Sequence, residues 1–395
     1  MDDIKKLSGK GYEHMEEKDY SHLIEKIGAH TIAKFEIVEE YVKSWAQKLL
    51  QTAGCKGLIF IDCMCNCGLY KNSNGQIVFG TPIRVAKVLR EAAGQYPNKH
   101  IYLFLNDYDA EKIECLKTKL PNEKGNFHIR TSYIDGNELL NNLSPTIHSR
   151  ACNGYHTFVF YDPFDASIDW DALEPYFFTW GELLINHNVQ DPVRAVSQTT
   201  RPTTMKKYED TYRQTFEKIR PYGSNKDAYE NRVHEIVTSL SGAENREYYV
   251  AAFPFFNSNN SLQYELIHCT GNLAGYKLYK ATAWKKFGGK SSLKTSHAGI
   301  NNQYSLDFDN PDNEVGIKAY SDSNCFTVAD IARYLQAESE GQNSVPLDKI
   351  WGLLDLHPIF PSDGLKKEIR ACLKNVYGAT VGKCTISFSK GKNWI

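Results

Sequence analysis

The chain of 395 residues has almost no net charge: 46 Lys and Arg stand against 47 Asp and Glu, giving −1. No overall field therefore argues for or against a polyanionic partner, and only local clusters of charge can. Long apolar runs are missing too. No stretch approaches the roughly 18 residues needed to span a bilayer. The opening residues Met1 to Lys6 lack the apolar centre of a secretory signal, so no membrane attachment and a cytoplasmic location are expected. The ten cysteines do not form the dense paired framework of a small secreted domain, and reduced thiols follow as the expectation. Internal repeats are absent. What is present, 42% hydrophobic and 24% charged residues, is ordinary for a globular chain long enough for two or three domains.

The most informative segment is 58–70. An apolar run from Leu58 to Ile61 ends at Asp62 and enters a turn of small residues: Cys63, Met64, Cys65, Asn66, Cys67 and Gly68. Such a run fits a strand covered on both faces, and Gly68 supplies a residue able to take φ > 0. In a doubly wound sheet, a turn of this kind is where a nucleotide-like cofactor rests. Further strands are predicted at 100–106, 127–133, 157–161, 182–186, 247–254 and 262–268. Helices are predicted at 30–50, at 81–93 with Thr81 as N-cap and Pro82 at the first helical position, and at 110–120, with a helical, charged region over 205–240. Strands alternating with helices predict an α/β, doubly wound, mostly parallel Rossmann-like sheet. Three short helices at 327–335, 346–354 and 364–376, followed by a strand at 383–388, have the outline of a winged helix-turn-helix. The expected organisation is an N-terminal arm (1–28), a Rossmann domain (29–290), a polar linker (291–323) and a winged-helix domain (324–395).

Acidic residues end the first strands in order. Asp62 and Gly68, with Met64 and Asn66, would hold the methionine end of S-adenosylmethionine; Asp107 would meet its ribose hydroxyls, and Asp135 the adenine. This is the constellation of a class I methyltransferase, although any one acidic strand end also reads as a solvated cap. Asp162-Pro163-Phe164 partly matches the Asp/Asn-Pro-Pro-aromatic motif of amino-group methyltransferases. There a carboxylate accepts from the target amine and a ring stacks on an extruded base; a strand-terminating Asp-Pro turn is the alternative. Cys63, Cys65 and Cys67 have poor metal spacing, so no metal is expected. They read as turn fillers, or as a redox-sensitive thiol whose pKa a helix N-terminus lowers. Between 271 and 300 lie Lys277, Lys280, Lys285, Lys286, Lys290 and Lys294 and no acidic residue, interleaved with Tyr276, Tyr279, Trp284 and Phe287. That mixture suits a phosphate-tracking, base-stacking surface for DNA or RNA, a solvated strand face being the alternative. Lys366, Lys367, Arg370 and Lys374 extend the same expectation to the third C-terminal helix.

These segments together resemble the three-Cys-motif partner proteins. The resemblance runs through His30-Thr31, Lys34, Tyr41, Trp45, the turn at 62–70, Gly80-Thr81-Pro82, Asp107, Asp162-Pro163-Phe164, Asn186, and Tyr264 to Thr270 with Gly275. It implies a methyltransferase-like fold with a C-terminal winged helix. It also implies a radical-enzyme-like partner carrying the three cysteines, and an association with mobile elements and phage defence. The family turn reads approximately Asp-x-Phe-Ala-Gly-Pro-Gly, and here Met64, Cys65, Asn66 and Cys67 replace Phe, Ala, Gly and Pro. Asn66 is able to keep the left-handed position such a turn needs. Two functions follow: methyl transfer to a nucleic-acid amine, or a non-catalytic module that presents nucleic acid to the partner.

Overall fold

The computed structural model describes residues 18–178, 180–242, 248–294 and 325–390. The expectations for 1–17 and for most of the linker lie outside them. After a single 3₁₀ turn, strand β1 (Glu25–Lys26) leads into helix α1 (Ala29–Leu50). The buried stripe of α1 is Ile37, Val38, Tyr41, Val42 and Trp45, spaced as a helix resting on a sheet requires. Strand β2 (Gly57–Asp62) is buried along its whole length, as a central parallel strand must be. A hairpin that the sequence reading did not anticipate, β3 (Leu69–Lys71) and β4 (Ile77–Phe79), then precedes α2 (Thr81–Gln95). Strand β1 pairs parallel with β3, making a small three-stranded sheet beside the turn.

The alternation continues with β5 (His100–Asn106), α3 (Ala110–Lys117), β6 (Phe127–Ser132), α4 (Gly136–Ala151), β7 (Tyr155–Tyr161), α5 (Trp170–Leu173) and β8 (Gly181–Asn188). Helices α6 (Gln190–Ala195), α7 (Pro202–Tyr212), α8 (Phe216–Ile219) and α9 (Lys226–Gly242) follow, and then strands β9 (Tyr249–Phe256) and β10 (Leu262–Thr270). The main sheet has seven strands in the order β6-β5-β2-β7-β8-β10-β9. Strands β6 through β8 are parallel, and β10 alone runs antiparallel to both its neighbours. Numbered within the sheet this is 3-2-1-4-5-7-6 with the seventh strand reversed, a methyltransferase-like Rossmann sheet. The chain winds outward from β2 through β5 to β6, then returns to place β7 on the other side of β2. The crevice between the carboxyl ends of β2 and β7 is therefore the topological switch point, where such sheets hold ligands.

Helix α10 (Leu273–Lys286) packs back on the sheet and carries the remainder of the chain. That remainder comprises α11 (Val328–Glu338), β11 (Val345–Pro346), α12 (Leu347–Leu356), α13 (Lys366–Asn375), β12 (Thr380–Val381) and β13 (Thr385–Ser387). The three short strands form an antiparallel sheet in the order β11-β13-β12. Four side chains of α10 grip the end of α12 and the loop after it. The Tyr276 hydroxyl donates to His357 O (2.9 Å), Lys277 pairs with Asp355 (2.7 Å), and Trp284 Nε1 donates to Ile359 O (2.9 Å). Lys280 Nζ reaches the carbonyls of Leu354, Asp355 and His357 at 2.9, 3.2 and 2.6 Å, capping the carbonyl end of α12.

None of the described helices is long and apolar enough to cross a membrane.

Candidate functional site

Asp62 ends β2 and is buried, with Oδ1 accepting only a long bond from the Met64 N–H (3.4 Å) and Oδ2 without a partner. Burial first, and then the neighbouring Asp162 carboxylate, hold its carboxyl well above the usual range. One strand over, Asp162 follows β7. Its Oδ2 accepts from Lys34 Nζ of α1 (2.6 Å), and its Oδ1 from Asn186 Nδ2 of β8 (2.6 Å). The carbonyl oxygen of Asn186 is buried and has no partner. Lys34 lies 5.0 Å from the centre of the Tyr264 ring, and the Tyr264 hydroxyl donates to His30 O on the same helix (2.9 Å).

The turn from β2 keeps the shape that its sequence allows. Asn66 (φ +56°) and Gly68 (φ +68°) both take the left-handed conformation. Each of its five first amides, however, bonds within the chain. Cys63 N–H donates to Phe160 O (3.4 Å), Met64 to Asp62, Cys65 to Asn106 O (2.7 Å), Asn66 to Asp107 Oδ2 (2.9 Å) and Cys67 to Asn66 Oδ1 (2.6 Å). Asp107, expected at a ribose, therefore braces the turn, and its other oxygen accepts from the Asp109 N–H (3.0 Å). Asp135, expected near adenine, is the N-cap of α4, accepting from Asn137 and Glu138. Buried Asn106 ties three strand ends together. Its amide group donates to Cys63 O and Ile134 O (2.9 and 2.8 Å) and accepts from the Ser132 hydroxyl and the Ile134 N–H.

Several expectations change. The hairpin β3–β4 separates the cysteine turn from α2 in sequence, although the Gly80 N–H still donates to Gly68 O (2.8 Å) and a Cβ on Gly136, the first residue of α4, would lie 3.3 Å from Cys63 Cβ. Burial first, with Asp62 adding for Cys63 and Cys65, pushes the thiols of Cys63, Cys65 and Cys67 up rather than down, so the lowered-pKa reading does not hold. Among the described residues no group of three His, Cys, Asp or Glu side chains could hold a metal ion. Gly80, not Thr81, is the N-cap of α2, and Pro82 is the second helical residue; Thr81 is the first and its buried hydroxyl has no partner.

The lysine-aromatic segment is largely the helix α10. Tyr276, Tyr279, Trp284 and Phe287 are all buried in the core, so no stacking surface stands there. Lys280 is 0% exposed and Lys277 is paired, which removes both from a ligand-facing set. Lys285 is exposed beside Glu40 (3.2 Å), Lys286 is half-buried, and half-buried Lys290 donates to Lys294 O. On α13, by contrast, Ile369 and Leu373 are buried while Lys366, Lys367 and Lys374 are exposed. Arg370 there donates to Gly382 O (2.5 Å).

Lys34 and Asn186 entered the sequence reading only through a resemblance, and the structure gives them a place. One signal was available: Lys34 interrupts the apolar stripe of α1, a position where a lysine needs a buried partner. Four of the other resemblance residues, Tyr41, Trp45, His268 and Gly275, gather on Glu182 of β8. This buried carboxylate accepts from the Tyr41 hydroxyl and from Trp45 Nε1 (3.2 Å), and His268 Nε2 lies 3.1 Å away. A Cβ on Gly275 would come within 3.2 Å of it. Three aromatics stand exposed along the same carboxyl edge as Asp162: Tyr108 (82%) after β5, Tyr133 (63%) after β6 and Phe164 (96%) after β7. Pro163 beside Phe164 is buried.

No family model and no curated protein matches the chain. Among solved structures it is similar to a Legionella pneumophila protein of the family-model DUF519, at 13% identity and a TM-score of 0.38, over 66% of this chain and 94% of that one. It is also similar to human methyltransferase-like protein 13, solved in complex with SAH, at 10% identity and a TM-score of 0.29, over 70% and 97% of the two chains. The fold assignment rests on strand order rather than on these scores.

Proposed function

We propose that this chain is an S-adenosylmethionine-dependent methyltransferase-like protein acting on an exocyclic amine of nucleic acid. The observation that carries the reading is Asp162-Pro163-Phe164. An acceptor carboxylate stands at the switch point, followed by a buried proline and a ring left almost wholly in solvent. A ring that buries nothing of its own is suited to stacking on a base taken out of its helix.

Two buried acceptors without partners, Asp62 Oδ2 and Asn186 Oδ1, fit the ammonium group of such a cofactor, because a buried polar atom left unpaired costs about 1–3 kcal/mol. Asp107 retains lone pairs for ribose hydroxyls, and Tyr108 and Tyr133 flank it. When bound, the cofactor supplies an electrophilic methyl group on a sulfonium. The chain's part is alignment. Asp162 orients the amine lone pair and takes up the released proton, while Phe164 fixes the plane of the base. The exposed lysines of α13, in a unit read as a winged helix, provide a face for phosphates. A radical-enzyme-like partner with three cysteines, and a role in phage defence, belong to this reading through the sequence resemblance alone.

The internally bonded turn favours a second reading, a binding module without catalysis that presents nucleic acid to its partner. Thermal melting with S-adenosylmethionine or S-adenosylhomocysteine separates the two. A ligand at 100 times its Kd adds about 2.7 kcal/mol. A shift, followed by methyl incorporation into nucleic acid that Phe164→Ala abolishes, supports the enzyme; no shift with either ligand leaves the binding module.

A further inference from the structure

The amino edge of the sheet, opposite the crevice, carries a group of side chains to which methyl transfer gives no task. Register sets His100 of β5, Gly57 of β2 and Tyr155 of β7 in one row, and His128 of β6 beside Tyr102 of β5 in the next row on the same face. A Cβ on Gly57 would come within 2.5 Å of the Tyr155 ring, so only glycine leaves that ring its place. The Tyr102 and Tyr155 rings are 6.2 Å apart, and the guanidinium of Arg150, in the last turn of α4, lies over them at 4.7 and 5.1 Å. Tyr102 stacks in turn on His128 (4.7 Å, 22°). His100 Nδ1 lies 3.3 Å from His128 Nε2, with the two imidazoles within 13° of parallel.

None of these groups is fully buried: His100 is exposed, and Tyr102, His128, Arg150 and Tyr155 are half-buried on or beside the edge strand β6. A guanidinium already laid against two rings has little freedom left to lose when it meets an anion. Among the described residues no carboxylate pairs with Arg150. Strands β5, β6 and β7 contain no acidic residue, and Glu123, the one carboxylate acting on His128, is paired with Arg130 at 2.8 Å. The patch is therefore cationic and aromatic on a chain that is neutral as a whole. We infer that this edge binds single-stranded nucleic acid, with Arg150 receiving a phosphate and the imidazole pair stacking on a base. Imidazole and guanidinium planes are surfaces on which unpaired bases stack, whereas a duplex keeps its bases stacked on one another. The surface is separate from the crevice and from the lysines of α13, and it needs no cofactor.

Fluorescence anisotropy of the full chain with a labelled ten-nucleotide oligoadenylate at low salt tests this. Arg150→Gln and His128→Leu should each weaken that strand by fivefold or more and leave a duplex of the same length within twofold. Arg150→Gln should also flatten the salt dependence by about 0.7 in log–log slope, the share of one phosphate contact on a single strand. Diethyl pyrocarbonate, which modifies imidazoles, gives a second measurement on the unaltered protein and decides the matter if a variant does not fold. The oligonucleotide should protect His100 and His128 and leave the exposed His22, beside Glu111 at the other edge, reacting as before. No binding of the strand by wild type, unchanged affinity in both variants, or imidazoles that react equally with and without the strand would overturn the inference. Adenosine monophosphate or polyglutamate competing as well as the oligoadenylate would overturn the assignment to a strand, in favour of a free nucleotide or an acidic protein segment respectively.

Discussion

Lys280 is the perturbation whose consequence can be worked furthest from the structure. It is fully buried in α10, and its three hydrogen bonds go to backbone carbonyls rather than to a carboxylate. Burial lowers its pKa from 10.5 to about 7, with Asp355 opposing and Lys277 reinforcing the shift. The folded-state pKa thus lies below the unfolded one, so between about pH 7 and 10.5 the unfolded chain binds more protons and stability rises with pH. Each pKa unit corresponds to about 1.4 kcal/mol, so the whole window of 10.5 to about 7 is worth roughly 5 kcal/mol at most. Below pH 7 the cost of the buried charge is fully present; as pH rises through 7 it is progressively relieved. The assay is urea denaturation of wild type and Lys280→Met at half-unit steps from pH 6 to 9.5, where the difference between the two proteins cancels titrations they share. Wild type is expected to gain on the variant by about 1 kcal/mol per unit above pH 7. A difference that stays constant across the range would refute the argument and mean that Lys280 titrates as a solvated lysine.

Asn106→Ala removes a buried amide with four hydrogen bonds and leaves at least two carbonyls without donors, so a loss of about 2–4 kcal/mol is expected in denaturant melts. Thiol titration should find Cys152 and Cys384, both exposed, reacting first, with Cys63, Cys65 and Cys67 slow until the chain unfolds. Rapid modification of those three in the native protein would contradict their placement. Charge reversal at Lys366, Lys367 and Lys374 should weaken nucleic-acid binding and flatten its salt dependence, whereas Lys277→Gln should not; gel shifts at two salt concentrations measure both.

The sheet was readable because its central strands are short apolar runs closed by acidic residues: Leu58 to Asp62, and Thr157 to Asp162. The hairpin at Leu69–Phe79 was not readable. Its strands are three residues long and half exposed, so neither alternation nor a buried run marks them. The segment from Tyr276 to Phe287 misled through composition. Its aromatics recur at 276, 279, 284 and 287, which is one face of a helix, and a lysine amid that face, Lys280, disguised a buried stripe as a basic one. At the site, Asp62 and Asp162 announced themselves at strand ends. Lys34 and Asn186 did not, because their meaning comes from strands and helices far apart in sequence meeting at one edge. The left-handed Asn66 followed from residue type, but the internal bonding of the turn's amides depends on Asp107 and Asn106 arriving from β5.

The grip of α10 on the end of α12 and the loop after it works as a splint. Four side chains on successive turns of one helix engage 354–359, so moving that segment away from α10 would break several buried bonds at once. The joint between the sheet and residues 354–359 is therefore set by side-chain bonds of α10 as well as by the covalent chain.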